Sequence, residues 1–116
     1  YEEALNYFFK LDLIENNCIK AWRGIGWCSF ISQKYEQAMK YYEKIIEQKP
    51  LAIDYMNAGH VAWVMGDIQK AAVFYGKAIT ASGNRERFLE MFHKDEESLL
   101  TQGIREEDIP LMLDLL

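Results

Sequence analysis

Apolar residues recur along this chain three and four positions apart, the spacing that places them on one face of an α-helix. The clearest runs begin at Ala4, Trp22, Ala38 and Ala71. Only Pro50 and Pro110 interrupt the chain, and glycine is sparse between them, so the turn-rich pattern of a β protein does not fit. The sequence therefore predicts an all-α fold of short amphipathic helices.

The helical pattern repeats along the chain. Glu-Gln-Ala at residues 36–38, with an aromatic residue four positions after the alanine, matches Glu-Glu-Ala at residues 2–4 and Gln-Lys-Ala at residues 69–71, at offsets of 34 and 33 residues. A period of about 34 residues with two helices in each repeat is typical of helix-turn-helix solenoids.

The repeated residues resemble those of the tetratricopeptide repeat (TPR) family, whose pattern is Trp-x2-Leu-Gly-x2-Tyr, Ala-x3-Phe and a final Pro. One repeat reads Trp22-x2-Ile25-Gly26-x2-Ser29, then Ala38-x3-Tyr42 and Pro50. The next reads Tyr55-x2-Ala58-Gly59-x2-Ala62, then Ala71-x3-Tyr75, without the proline. The resemblance covers about residues 1–82 and implies an α-solenoid of antiparallel helix pairs wound as a right-handed superhelix.

This resemblance divides the chain into four segments. Residues 1–18 are expected to be the second half of a repeat, 19–51 and 52–83 two complete repeats, and 84–116 a C-terminal helical cap. In the cap, one helix is predicted from about residue 85 to 102, with Asn84 as its N-cap and Gly103 at its end. A second, apolar helix is predicted from Ile109 to Leu116. A chain that starts within a repeat is expected to be a fragment of a longer protein.

Small residues are predicted where the two helices of a repeat cross. Gly26 and Gly59 come from the first helices, and Ala38 and Ala71 lie opposite them on the second helices. Only small side chains allow helices to approach so closely, and a bulky residue there would overpack by about 1–3 kcal/mol. We expect these four positions and Trp22 to be structural.

The net charge of the chain disfavours two classes of function. The chain carries 13 basic and 18 acidic residues, and the whole excess of −5 lies in residues 94–116. A nucleic-acid or anionic-membrane binder needs a basic surface, so both classes are disfavoured. No apolar run is long enough for a membrane span. Two cysteines cannot form a disulfide framework, which favours a reducing compartment, and the predicted location is the cytoplasm.

Catalytic patterns are also missing from the sequence. His60 and His93 fall in different predicted helices, and neither lies in a catalytic motif, a phosphate-binding loop or a metal-ligand spacing. Cys28 is expected near the core side of its helix and Cys18 in a turn with no nearby His or run of Lys, so both thiols are predicted to be inert. We therefore expect a non-catalytic protein without a metal or cofactor.

The family resemblance implies a peptide-binding groove on the first helices of the repeats. The residues it assigns to that groove are Lys20, Arg23, Trp27, Phe30, Met56, Asn57, His60 and Trp63. Trp and Arg are enriched among residues that dominate binding energy, and Met adapts to varied shapes, so an apolar peptide or protein segment is the expected partner. Alternatively, the tail or a further N-terminal helix fills the groove.

Two narrower resemblances give alternative functions. Some TPR domains hold the C-terminal carboxylate of heat-shock chaperones with a Lys, Asn and Arg clamp, of which Arg23 and Asn57 match two positions, whereas Trp27 replaces another Asn. The layout is also similar to bacterial type III secretion translocator chaperones, which implies a chaperone for an apolar secreted client. A third alternative is a structural self-assembly module, with a homodimer formed through the apolar C-terminal helix.

Overall fold

The structure, a computed structural model, describes residues 1–15 and 18–116. In these residues the regular elements are helices. They are α1 (Glu2–Ile14), α2 (Ile19–Ile31), α3 (Tyr35–Ile46), α4 (Ala52–Val64), α5 (Ile68–Ser82), α6 (Arg85–Lys94), α7 (Glu96–Thr101) and α8 (Asp108–Asp114). The predicted all-α fold is confirmed. The chain divides into two compact units, an N-terminal unit Tyr1–Pro50 and a C-terminal unit Leu51–Leu116.

In the N-terminal unit, α2 packs against both α1 and α3. Leu5 of α1 and Ile25 and Cys28 of α2 form a buried cluster. Trp22 ties the helices together, since its Nε1 donates a hydrogen bond to Asp12 Oδ1 of α1 at 2.8 Å. The amine of Lys44 on α3 lies 4.5 Å from the centre of the Trp22 ring, a cation–π contact.

The predicted close approach of paired helices is confirmed in both units. A Cβ built on Gly26 would lie 2.8 Å from the ring of Tyr42, and one on Gly59 would lie 2.7 Å from the ring of Tyr75. Ala38 and Ala71 are fully buried. Gly24 has the same role between α2 and α1, because a Cβ there would collide with the ring of Phe8.

The core of the C-terminal unit is a cluster of aromatic rings around Tyr75 of α5. Tyr75 makes edge contacts with His60, Trp63, Phe88 and Phe92, at ring-centre distances from 5.5 to 6.4 Å. These rings come from α4, α5 and α6. Their packing joins the second helix pair to the first helix of the tail.

In the tail, residues 84–116, two predicted helix-end features are present, but the predicted single long helix is not. The Asn84 side chain caps α6 by accepting a hydrogen bond from the Arg87 N–H at 2.8 Å, as predicted. Gly103 has a φ of +104°, which suits its predicted place after a helix. The single helix predicted over residues 85–102 is wrong, because it is divided at Asp95 into α6 and α7. The last helix begins at Asp108 and ends at Asp114.

Candidate functional site

One face of α2 combines basic and aromatic side chains. Lys20, Arg23 and Trp27 follow one another at three- and four-residue intervals, which places them on the same side of the helix. Lys20 is exposed, and Arg23 and Trp27 are half-buried. Acidic residues do not occur in α2, so the charged side chains that this helix contributes beside the indole ring are basic.

Four of the eight predicted groove residues are instead buried, and three of them are almost completely enclosed. Phe30 and His60 have no exposed surface, and Met56 is 1% exposed. Phe30 is covered by the rings of Trp27 and Tyr35, at 5.4 and 6.0 Å. In this structure these side chains belong to the core, which corrects their assignment to a binding surface.

On α4, the predicted groove residues that keep some access are Asn57 and Trp63. Asn57 is half-buried, and its Oδ1 lies below the surface with no hydrogen-bond partner among the described residues. A buried amide oxygen without a partner is costly, so Asn57 keeps an unused capacity to accept a hydrogen bond. Trp63 is 7% exposed and borders an open cleft together with residues of α8. The tail therefore lies beside one of the predicted groove residues.

His60 is the centre of a buried polar network that joins three parts of the C-terminal unit. Its Nδ1 lies 2.6 Å from the Tyr75 hydroxyl, and its Nε2 lies 3.0 Å from Asp95 Oδ2. The Asp95 carboxylate can only accept, so Nε2 carries the proton and Nδ1 accepts from the Tyr75 O–H. Both ring nitrogens thus have hydrogen-bond partners within the chain.

Burial sets the protonation of this network. It lowers the pKa of His60 and outweighs the hydrogen bond and negative charge of Asp95, which act in the opposite direction. The pKa of Tyr75 is raised well above its ordinary value by burial and by the charge of Asp95. The folded C-terminal unit therefore favours a neutral His60 beside a neutral Tyr75.

We expect the C-terminal unit to lose stability as the pH falls below about 6.5, where an unfolded histidine takes up a proton. The folded pKa of His60 is lowered, so the unfolded state binds more protons in this range and acid favours unfolding. Urea unfolding followed by circular dichroism at about pH 7.5 and 5.5 measures this slope.

The matched variants for this measurement are His60→Gln and His93→Gln. His60→Gln should reduce the pH dependence of the urea midpoint, whereas His93→Gln, on the exposed side of α6, should retain it. Equal pH slopes in the wild type and in His60→Gln would contradict the role given to His60.

The thiols and the acidic residues offer no further chemistry. Cys18 and Cys28 are both free, and burial raises the pKa of the Cys28 thiol, which disfavours its reactive thiolate. Within residues 1–15 and 18–116, no group of three or more His, Cys, Asp and Glu side chains is placed to hold a metal ion. Over the same residues, no helix has the length and apolar character needed to cross a membrane.

Comparison with known proteins identifies the repeats. The family model of the tetratricopeptide repeat matches residues 19–50 and 55–85, which together are more than half of the chain. The curated tetratricopeptide repeat-containing protein trd-1 of Caenorhabditis elegans is 26% identical over 78 residues, which cover 66% of this chain and 10% of trd-1. The chain thus spans about one tenth of the length of this relative.

Proposed function

Because this chain belongs to the tetratricopeptide repeat family, we propose that it is a non-catalytic module that binds a segment of a partner protein on the first helices of its repeats. Repeats of this family generally mediate protein–protein interaction. The family match over both repeats is the observation that carries the proposal, and the side chains of α2 and α4 give it chemical detail.

The α2 face carries most of the proposed binding surface. Trp27 offers a large, partly exposed ring, and Arg23 and Lys20 lie one and two turns before it, respectively. Trp and Arg are the residue types that most often dominate binding energy. The partner segment that suits this surface has an apolar or aromatic residue for Trp27 and a carboxylate for the basic side chains.

On the C-terminal unit the proposal uses Asn57 of α4, which is half-buried. Its Oδ1 lies below the surface, so Asn57 contributes to the proposed surface through its exposed atoms and not through that oxygen. Phe30, Met56 and His60 support these helices from within and make no contact with the partner in this proposal.

We expect a peptide on this surface to bind with a micromolar Kd, about −8 kcal/mol, because ordering a flexible segment offsets much of the contact energy. Peptides selected from a random display library against the whole chain serve as probes. Trp27→Ala should weaken their binding about 30-fold, or about 2 kcal/mol, as measured by isothermal titration calorimetry. Lys20→Glu should weaken the binding of the acidic peptides among them.

The matched control is Tyr7→Ala, which removes a 62% exposed aromatic ring from α1 of the same unit and should leave binding unchanged. Circular dichroism establishes that each variant is folded. If no selected peptide loses affinity in folded Trp27→Ala and Lys20→Glu proteins, the α2 face is not the binding surface.

A further inference from the structure

The short helix α8 has two apolar faces, and only one of them is covered. Ile109 and Met112 are 6% and 3% exposed, whereas Leu111 and Leu115 are each 62% exposed. The helix is also held in place, because Arg85 Nη2 of α6 donates a hydrogen bond to the Leu113 carbonyl oxygen at 3.1 Å. The exposed leucines therefore project from a docked helix.

These leucines form one wall of an open cleft of about 460 Å³ within the C-terminal unit. Trp63 of α4 and Ile68 of α5 contribute apolar surface to the same cleft. Ile68 is 52% exposed, so apolar surface is accessible to water on both α5 and α8. A contiguous apolar surface of this kind is unfavourable in water unless another molecule covers it.

Acidic residues surround this apolar surface. Asp108 and Asp114 line the cleft itself. Residues 104–116 carry four acidic side chains and a single basic one, Arg105, which pairs with Glu107 at 2.6 Å and with Asp108 at 4.0 Å. The rim of the cleft is therefore negative, in contrast to the basic face of α2.

We propose that this cleft docks a short apolar segment of a partner protein that has lysines or arginines on its flanks. The apolar residues of the segment would cover Trp63, Ile68 and the exposed leucines, and its basic flanks would lie against the acidic rim. Complementary charge of this kind speeds association and excludes acidic partners. This second docking site uses none of the residues of α2.

Two other occupants fit the cleft less well. Small-molecule sites bury most of their ligand, whereas the exposed leucines leave this cleft open along α8. In a symmetric dimer the same patch meets itself, which would bring two acidic rims together. An apolar segment with basic flanks satisfies both the open shape and the charge.

The proposal is tested with synthetic peptides of about 14 residues added to the isotopically labelled whole chain. A leucine and lysine peptide should cause saturable shifts of the Trp63 indole N–H and of the α8 amide signals in NMR spectra. Two comparison peptides, one with glutamate in place of lysine and one with serine in place of leucine, should bind at least about tenfold more weakly. Raising the salt concentration from about 50 to 500 mM should weaken binding, because salt screens exposed charges.

Substitutions in the cleft and elsewhere test whether the peptide binds in the cleft. Three substitutions should each weaken the binding of the leucine and lysine peptide about tenfold: Leu111→Ser, Leu115→Ser and Asp114→Lys. Leu100→Ser removes a 41% exposed leucine from α7, and Glu90→Lys makes the same charge change as Asp114→Lys on the exposed side of α6. Both controls should bind as the wild type does. Trp27→Ala should also bind normally, which separates this site from the α2 face.

Several results would overturn the proposal. One is equal loss of affinity in the cleft variants and in their controls. A second is a set of NMR shifts that does not include the signals of Trp63 and α8. A third is a dimer in analytical ultracentrifugation that Leu115→Ser converts to a monomer, because a second copy of the chain would then be the occupant.

Discussion

Replacing Tyr75 with alanine should destabilise the C-terminal unit by about 3–5 kcal/mol, the range for removal of a buried aromatic ring. Tyr75 has no exposed surface, and its ring contacts His60, Trp63, Phe88 and Phe92. The substitution leaves a cavity at the centre of these rings. Urea unfolding of the whole chain, followed by circular dichroism, measures the free energy of unfolding.

Tyr75→Phe measures the contribution of the hydroxyl to stability separately from that of the ring. It keeps the packing but leaves His60 Nδ1 without its hydrogen-bond donor, which should cost about 1–3 kcal/mol. Val73→Ala on the same helix removes a side chain that is 57% exposed and should change stability by less than about 0.5 kcal/mol. If Tyr75→Ala costs no more than Tyr75→Phe, the aromatic cluster is not the main support of this unit.

Replacing Gly59 with leucine should destabilise the chain by about 3 kcal/mol, the upper end of ordinary overpacking costs. Even a single added carbon at this position lies 2.7 Å from the Tyr75 ring. The ring cannot retreat easily, since it is fully buried. Thermal and urea unfolding both report the loss, as a lower melting temperature and a lower urea midpoint.

Gly76 on α5 is the matched control for this substitution. A Cβ built on Gly76 meets nothing within 4 Å, so Gly76→Leu adds a better helix former without a collision. It should stabilise the chain slightly, by about 0.5 kcal/mol. Effects of the same sign and size at both positions would show that helix propensity, and not the close approach of α4 and α5, decides the outcome.

The part of the fold that could be predicted from the sequence is the part that depends on local pattern. Helical periodicity predicted the all-α class, and small residues at a fixed spacing predicted the crossings at Gly26 and Gly59. The helix break at Asp95 could not be predicted in this way. It falls where the Asp95 carboxylate accepts a hydrogen bond from His60, 35 residues earlier in the chain, and periodicity within one segment does not contain such a contact.

The candidate site shows the same limit. The family resemblance assigned Lys20, Arg23 and Trp27 to the groove, and the three- and four-residue spacing places them on one side of α2. A family position does not show how deeply the neighbouring helices of this chain cover a side chain, which is why Phe30, Met56 and His60 were assigned to a surface and lie in the core. The sequence predicted an apolar last helix, but it did not divide the leucines of that helix into covered and exposed faces.

Some sequence-based interpretations stay predictions. These are the similarity to bacterial secretion chaperones, the cytoplasmic location, homodimer formation and the four-segment division of the chain. The clamp-like match of Arg23 and Asn57 also stays a prediction. The peptides selected on the whole chain bear on it directly, because enrichment of C-terminal carboxylates among them would support such a clamp.

The anchor of α8 has an evolutionary consequence. Arg85 holds this helix through the main-chain oxygen of Leu113, a group that every amino acid possesses. Substitutions at Leu111 and Leu115 therefore leave the anchor intact while they reshape the surface beside Trp63. Selection can alter which sequences the cleft accepts without first having to rebuild the attachment of the helix that carries it.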